Sequence, residues 1–194
     1  MYTVIGDRMT RAFRVLWMLE ELGVPYTHVP AKPRSDEARA ANPSGKVPAL
    51  LDGDQMIPDS MAILTYLTDK HGAFTHPAGT PDRAKQDAWT FRLLDELDSL
   101  IWTAARHSFV LPEDQRVPDV VDSLSSEFGR NMDQISSEMS SDYLAGAEPT
   151  VPDFLLAHCI GWARFAKFPD APPELVAYLK RLRKRPAFQR AAAL

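Results

Sequence analysis

A proline inside an apolar run is the feature that most constrains how this chain can fold. Residues 41–51 read Ala-Asn-Pro-Ser-Gly-Lys-Val-Pro-Ala-Leu-Leu, a polar turn that leads into a short apolar segment. Pro48 interrupts that segment and has no backbone N–H to donate to a β-ladder. The pattern therefore disfavours a central strand that begins before Pro48.

A helix start follows a few residues later. Residues 57–67 read Ile-Pro-Asp-Ser-Met-Ala-Ile-Leu-Thr-Tyr-Leu, in which Ser60 can serve as the N-cap or as a first-turn residue. Helix N-termini carry unpaired N–H groups and the positive end of the helix dipole. A strand edge beside such a terminus can therefore form a binding site for a small anionic peptide.

The first 75 residues alternate short apolar runs with helical patterns. Residues 2–5, 25–29, 46–51 and 55–57 are predicted strands, the second parallel to the first through a helix that ends at Gly23. A tight hairpin joins the last two strands, and a helix over residues 59–71 is predicted to end at Gly72. The predicted order is β-α-β-(α)-β-β-α.

The rest of the chain contains no convincing strand. Residues 73–81 are rich in proline and glycine and are predicted to be a linker. Amphipathic or apolar helical patterns follow over residues 82–110, 120–139 and 152–168, and one or two closing helices over residues 172–194. Thr150 and Asp153 form a capping-box pattern before the third of them. We therefore expect one domain at residues 1–75 and an all-helical domain at residues 82–194.

Composition and charge exclude several classes of protein. The chain has 194 residues, a formal net charge of −4 and a single cysteine, Cys159. This charge gives no general attraction to nucleic acid, and no apolar run is long enough to span a membrane. A lone cysteine excludes an intrachain disulfide and fits a reducing compartment. With no signal-peptide pattern after Met1, the sequence predicts a cytoplasmic protein without nucleic-acid or membrane partners.

Two motifs taken together resemble the glutathione S-transferase superfamily, in its bacterial cytosolic form. They are Asn42-Pro43-x-Gly45-Lys46-Val47-Pro48-Ala49-Leu50 and Asp59-Ser60-x-Ala62-Ile63-x-x-Tyr66-Leu67. The order of the predicted elements matches the same superfamily over the whole chain. The resemblance implies a thioredoxin-like N-terminal domain followed by an all-helical C-terminal domain, with glutathione as co-substrate and no metal.

The resemblance also implies which residues hold most of the glutathione molecule. It predicts a cis bond between Val47 and Pro48, with the backbone N–H and C=O of Val47 paired to the cysteinyl part. Asp59 and Ser60 are expected at the γ-glutamyl end, where the α-carboxylate would take the Ser60 hydroxyl and a helix N–H. Asp59 is one methylene shorter than the Glu or Gln that is commoner at its position, and capping the helix is the alternative role for this pair.

The glycyl carboxylate of glutathione needs a cation or a hydrogen-bond donor. Lys46 lies within the first motif, and Lys32 and Arg34 lie in the preceding loop. We expect Lys46 to be the best placed, with solvated surface side chains as the alternative for all three. Asp95 or Asp98 of a partner subunit could assist at the other end of the ligand.

The same resemblance places the thiol chemistry at residues 10–16, Thr-Arg-Ala-Phe-Arg-Val-Leu, where many bacterial relatives read Ser-Arg-Ser-x-Arg-Val-Leu. A glutathione transferase must hold the thiol as a thiolate, because the thiolate is the nucleophile. Thr10 aligns with the serine and is the predicted O–H donor, although it can also simply cap the helix. Arg11 is predicted to lower the pKa of the thiol or to bind substrate.

The predicted function is a homodimeric glutathione S-transferase that activates glutathione for attack on a small electrophile, in detoxification. Met9, Trp102, Arg106 and His107 are the predicted lining of the electrophile pocket. Two alternatives keep the same fold. One is a glutathione-dependent disulfide reductase or peroxidase, and the other is a non-catalytic glutathione-binding protein.

Overall fold

All 194 residues, from Met1 to Leu194, are described by the computed structural model, and they form two compact units. The first unit comprises Met1–Ala78 together with Leu182–Leu194, and the second is Gly79–Arg181. These units differ from the predicted ranges, 1–75 and 82–194, mainly at the C-terminus. Residues 182–194 pack with the first unit, although they follow the helices of the second.

A four-stranded mixed sheet forms the centre of the first unit. Its strands are β1 (Tyr2–Ile5), β2 (Tyr26–Val29), β3 (Ala49–Asp52) and β4 (Gln55–Pro58), arranged in the order β2-β1-β3-β4. β2 is parallel to β1 as predicted, and β3 is antiparallel to both β1 and β4. β3 begins at Ala49, three residues after the start of the predicted strand over residues 46–51. This start agrees with the expectation that no central strand begins before Pro48, which cannot donate to the ladder.

Nine α-helices accompany the sheet. They are α1 (Ala12–Leu22), α2 (Asp36–Ala41), α3 (Ser60–His71), α4 (Pro81–Leu93), α5 (Ser99–Ala105), α6 (Val120–Glu138), α7 (Val151–Phe165), α8 (Pro173–Arg183) and α9 (Pro186–Ala192). Gly23 and Gly72 end α1 and α3 in the left-handed conformation, with φ of 65° and 64°. Both ends were predicted, because glycine enters this region without a Cβ clash.

The C-terminal helix α9 packs against α1 within the first unit. Phe188 makes edge-to-face contacts with Phe13 and Trp17, with ring centroids 5.3 and 5.0 Å apart. Arg185 forms a two-pronged ion pair with Glu21, with N–O distances of 2.6 and 2.8 Å. Aromatic packing and charge thus fix residues 182–194 to α1, which explains why they do not group with the preceding helices.

The second unit is entirely helical, as predicted. The predicted helix over residues 82–110 is one continuous helical stretch. A π-helical turn at Leu94–Asp98 separates α4 from α5, and a second one at Arg106–Val110 follows α5. α7 is the predicted central helix, with most of its residues buried. None of the helices is both long enough and apolar enough to cross a membrane.

The predicted capping box at the start of α7 is present, and it is part of a larger hydrogen-bond network than the sequence indicated. Asp153 is fully buried and accepts hydrogen bonds from the N–H of Thr150 at 2.8 Å and the N–H of Leu144 at 3.0 Å. It also accepts from the hydroxyl of Tyr178 at 2.6 Å, so one carboxylate joins α7, α8 and the preceding turn. Burial raises the pKa of Asp153, and the four hydrogen bonds to its oxygens oppose that shift.

Replacing Asp153 tests this network. Asp153→Ala leaves buried donors of Thr150, Leu144 and Tyr178 without their acceptor, so we expect the free energy of unfolding to fall by about 3 kcal/mol. Thr150→Ala removes only the cap hydroxyl and is expected to cost about 1 kcal/mol. Urea unfolding followed by circular dichroism measures both. Equal losses for the two variants would contradict a network centred on Asp153.

Candidate functional site

The strand register brings three chain segments to one end of the sheet. Ile5 pairs with Ala49, and Ala49 pairs with Pro58 on its other side. Because neighbouring strands lie about 4.8 Å apart, the segments that continue from these three residues leave the sheet side by side. They are the loop over residues 6–11, the turn over residues 42–48 and the start of α3. The candidate site is built from these segments.

Gly6 allows the loop and the turn to touch. Its φ is 144°, and an added Cβ would lie 2.8 Å from the Cβ of Ala12 and 3.1 Å from the Cβ of Val47. The Val47–Pro48 bond is cis, as the resemblance implied. Neither the N–H nor the C=O of Val47 makes a hydrogen bond within the chain. An extended peptide can therefore pair with this backbone, which is the contact predicted for Val47.

The buried side chain of Asn42 shapes the turn before Val47. Its amide nitrogen donates to the carbonyl of Lys46 at 3.0 Å. Its oxygen accepts from both the N–H and the hydroxyl of Ser44, at 3.1 and 2.9 Å. The motif that begins at Asn42 is thus held by side-chain bonds to its own backbone, a common way for asparagine to fix a turn.

The three predicted cations lie around this turn. Lys32, Arg34 and Lys46 are all exposed, and the N–H of Arg34 donates to the carbonyl of Gly45 at 2.8 Å. None of their side chains makes a hydrogen bond or an ion pair with the rest of the chain. Each therefore has donors available for an anion, and the choice among them stays a prediction.

Asp59 is the N-cap of α3, and Ser60 is the first helical residue. One carboxylate oxygen of Asp59 accepts from the N–H groups of Met61 and Ala62, at 2.9 and 3.1 Å. The other oxygen makes no hydrogen bond within the chain, and the residue is exposed. Its φ of 69° is a sparsely populated conformation for a residue other than glycine, of the kind that concentrates at functional sites. Capping and ligand contact can therefore be shared between the two oxygens.

Arg14 was not singled out from the sequence. It lies on α1 with 1% of its surface exposed, and its Nη1 donates to the hydroxyl oxygen of Ser60 at 3.2 Å. Ser60 itself is 2% exposed. Arginine is rarely fully buried unless it is paired, so the local sequence gives no indication of this burial. The only sequence signal was its place in the Arg-Val-Leu part of the motif that resembles the transferases.

Thr10 and Arg11, the predicted catalytic residues, lie at the end of the loop. The hydroxyl of Thr10 donates to the carbonyl of Asp7 at 2.6 Å and accepts from the N–H of Ala12 at 3.1 Å. Arg11 occupies the N-cap position of α1, and its side chain does not cap the helix. The single hydrogen of the Thr10 hydroxyl is therefore directed at the loop backbone, and contact with a thiol requires it to turn.

The four residues predicted for the electrophile pocket lie in both units. Met9 is 68% exposed in the loop of the first unit. Trp102 lies on α5, and Arg106 and His107 begin the π-helical turn that follows. His107 accepts a hydrogen bond from the N–H of Val117 at 3.1 Å and lines a groove of about 250 Å³ within the second unit. Their common role in one pocket stays a prediction.

Two further predictions concern carboxylates and metals. Asp98 is 5% exposed within the second unit, whereas Asp95 is exposed. A contribution of either residue to a ligand of another subunit stays a prediction. No group of three or more His, Cys, Asp or Glu side chains is arranged to hold a metal ion.

The fold is a thioredoxin-like domain followed by a helical domain, and known proteins share it. Residues 11–77 match the family model of the glutathione S-transferase N-terminal domain, and residues 98–186 match that of the C-terminal domain. A glutathione S-transferase of Triticum aestivum is 31% identical over 190 residues, covering 92% of this chain and 86% of the relative. The chain therefore belongs to the glutathione S-transferase family.

Two other relatives extend this comparison. A probable glutathione S-transferase of Oryza sativa subsp. japonica, GSTF1, is 27% identical over 201 residues, covering 95% of this chain and 92% of the relative. The crystal structure of a theta class glutathione S-transferase from Xanthomonas axonopodis pv. citri has glutathione bound. It superposes with a TM-score of 0.80 at 26% identity, covering 100% of this chain and 97% of that one.

Replacing Gly6 tests whether its close contacts shape the site. Gly6→Ala combines an unfavourable φ with a clash against Ala12 and Val47, so we expect a loss of about 2–3 kcal/mol in unfolding free energy. Gly146→Ala is the matched control, because Gly146 has a similar φ of 138° and nothing within 4 Å of an added Cβ. Thermal and urea unfolding measure the difference. Equal losses in the two variants would show that the Gly6 contact is not tight.

Proposed function

We propose that the chain is a glutathione S-transferase, which holds the thiol of glutathione as a thiolate that attacks a small electrophile. The observation that carries this proposal is the meeting of three groups at one end of the sheet. They are the backbone of Val47, which makes no hydrogen bond within the chain, the carboxylate of Asp59, of which one oxygen makes no hydrogen bond, and the hydroxyl of Ser60. Each matches one part of a γ-glutamyl tripeptide in charge and hydrogen-bonding character.

In the proposed complex the ligand's γ-glutamyl end lies at the start of α3. Its α-carboxylate accepts from the hydroxyl and N–H of Ser60, where the helix dipole favours an anion. Its ammonium pairs with the second oxygen of Asp59. Val47 pairs with the cysteinyl backbone, and Lys46 binds the glycyl carboxylate, with Lys32 and Arg34 nearby.

The proposed chemistry depends on ionisation of the thiol. Its proton leaves to water, and the thiolate sulfur then forms a bond to an electrophilic carbon. The bond from that carbon to its leaving group breaks, and the leaving group (chloride in the case of chlorodinitrobenzene) departs to water with the bonding electrons. The N-terminal end of α1, the hydroxyl of Thr10 and the charge of Arg11 are the groups proposed to favour the thiolate. Met9, Trp102, Arg106 and His107 are proposed to contact the electrophile. We further propose a cytoplasmic homodimer, in line with the single buried cysteine, Cys159, and the family.

A second candidate function is favoured by one specific observation. The hydroxyl hydrogen of Thr10 is already donated to the carbonyl of Asp7. If it stays there, Thr10 does not stabilise the thiolate, which favours the alternative of a protein that binds glutathione without catalysing conjugation. Conjugation assays distinguish the two candidates.

Binding to immobilised glutathione is the first test. We expect the full chain to be retained, to elute with free glutathione, and to accelerate conjugation of glutathione with chlorodinitrobenzene. A parallel assay with a mixed disulfide and a peroxide identifies the reductase alternative. Retention without any turnover would favour the binding protein, and absence of retention would overturn the proposal.

Asp59→Asn tests the γ-glutamyl end. The amide oxygen keeps an acceptor for the N–H groups of Met61 and Ala62 but removes the charge offered to the ammonium. We expect the Kd for glutathione to rise about tenfold with little change in unfolding temperature. Asp54→Asn, an exposed change in the hairpin between β3 and β4, is the control and leaves Kd unchanged. Isothermal titration calorimetry gives both values. An unchanged Kd in Asp59→Asn would remove Asp59 from the site.

Thr10→Val tests the proposed hydroxyl donor, because valine keeps the shape and removes the O–H. We expect kcat/KM for conjugation to fall about 100-fold and the pKa of the bound thiol to rise, since the thiolate loses a hydrogen bond. Thr10→Ser keeps the hydroxyl and is expected to retain most activity. Thiolate absorbance of the complex across pH measures the shift. A bound-thiol pKa that is the same in all three proteins would assign Thr10 to the loop alone.

A further inference from the structure

We infer that Arg14 is a positioning residue for glutathione, which fixes the hydroxyl of Ser60 so that its hydrogen is presented to the ligand's α-carboxylate. This inference rests on the proposed function. Arg14 does not itself need to touch the ligand. It acts from α1 on the first residue of α3, through one hydrogen bond between two buried side chains.

The direction of that hydrogen bond carries the argument. A guanidinium can only donate, whereas a serine hydroxyl has one hydrogen and two acceptor lone pairs. In the 3.2 Å contact the oxygen of Ser60 therefore accepts from Nη1 of Arg14, and its own hydrogen has to point elsewhere. The hydroxyl of Ser60 makes no other hydrogen bond within the chain. The hydroxyl is thus a donor that lacks an acceptor.

Burial prevents the usual alternative. A serine at a helix start commonly turns its hydroxyl to a nearby backbone group. Here Arg14 is 1% exposed and Ser60 is 2% exposed, so packing of α1 against α3 restricts both rotamers. A donor that is already oriented costs less conformational entropy when it binds an oxygen ligand.

The neighbouring groups define the chemical class of that ligand. The carboxylate of Asp59 caps α3, and its negative charge repels an anion placed next to it. Beside the Ser60 hydroxyl, by contrast, the N–H of Ser60 and the helix dipole favour an anion. The geometry thus fits a zwitterionic end with a carboxylate and an ammonium on one carbon. A peptide that lacks this carboxylate leaves the Ser60 hydroxyl without an acceptor and loses the contribution of Arg14.

A ligand that lacks only the α-carboxylate separates positioning from general structural support. The probe is 4-aminobutyryl-Cys-Gly, which keeps the ammonium and the rest of glutathione. We expect Arg14→Met to raise the Kd for glutathione about tenfold and to leave the Kd for the probe unchanged. Ser60→Ala is expected to have the same two effects. Titration calorimetry on the full chain measures all four values.

A double variant tests whether Arg14 acts through Ser60. If it does, Arg14→Met combined with Ser60→Ala raises the Kd for glutathione no more than about tenfold, because the two changes remove one interaction. Effects that multiply to about 100-fold would show that Arg14 acts independently, and the inference would be wrong. Arg83→Met is the matched control, a buried arginine of α4 paired with Asp87, and it leaves glutathione binding unchanged.

Failure of the inference and failure of the proposed function give different results. If the unaltered chain does not bind glutathione, both are overturned. If it binds and Arg14→Met weakens both ligands equally, or neither, only the inference is overturned. If Arg14→Met does not fold, Arg14→Lys is used instead. Lysine keeps the positive charge but lacks the rigid, planar arrangement of N–H donors of the guanidinium. The preference for glutathione over the probe then falls at least threefold, and an unchanged preference overturns the inference.

Discussion

The antiparallel register of β3 against β1 and β4 is the constraint on which the candidate site depends. Ala49 lies between Ile5 and Pro58, and the chain segments next to these three residues become the loop, the turn and the helix start of the site. A slip of one residue would turn every side chain of β3 to the opposite face of the sheet and separate those segments. Two residues next to the paired strands support this register. Pro48 ends the hydrogen-bond ladder before β3, and Gly6 allows the loop to approach Val47 closely.

Helix α1 carries a second set of constraints on the same site. Its first residues adjoin the loop that holds Thr10, and its buried Arg14 reaches the start of α3. Helix α9 packs along it, with Phe188 against Phe13 and Trp17 and with Arg185 in an ion pair with Glu21 near its C-terminal end. The last residues of the chain therefore support a helix whose other contacts lie at the candidate site, although they are distant from it in sequence.

Polar groups at the candidate site also have structural partners. The hydroxyl of Thr10 holds the loop, one oxygen of Asp59 caps α3, and the oxygen of Ser60 accepts from Arg14. The proposed ligand contacts therefore use what these bonds leave, which is the second oxygen of Asp59 and the hydroxyl hydrogen of Ser60. For Thr10 nothing is left without rearrangement, because a hydroxyl has only one hydrogen. The structural role of Thr10 therefore competes with its proposed role, whereas the structural and proposed roles of Asp59 and Ser60 are compatible.

The sequence by itself determined most of the helices and strands, because hydrophobic periodicity and the positions of glycine and proline are local properties. The helix ends at Gly23 and Gly72, the parallel β1–β2 pair and the capping box at Thr150 could all be predicted this way. Val47, Asp59 and Ser60 were singled out by the resemblance of their motifs to a family, and their roles stay predictions. Only the tertiary structure decided which side chains meet. Packing of α1 on α3 buries Arg14 against Ser60, and packing of α9 on α1 draws residues 182–194 into the first unit. These outcomes depend on contacts between residues far apart in the chain, and no local pattern specifies such contacts.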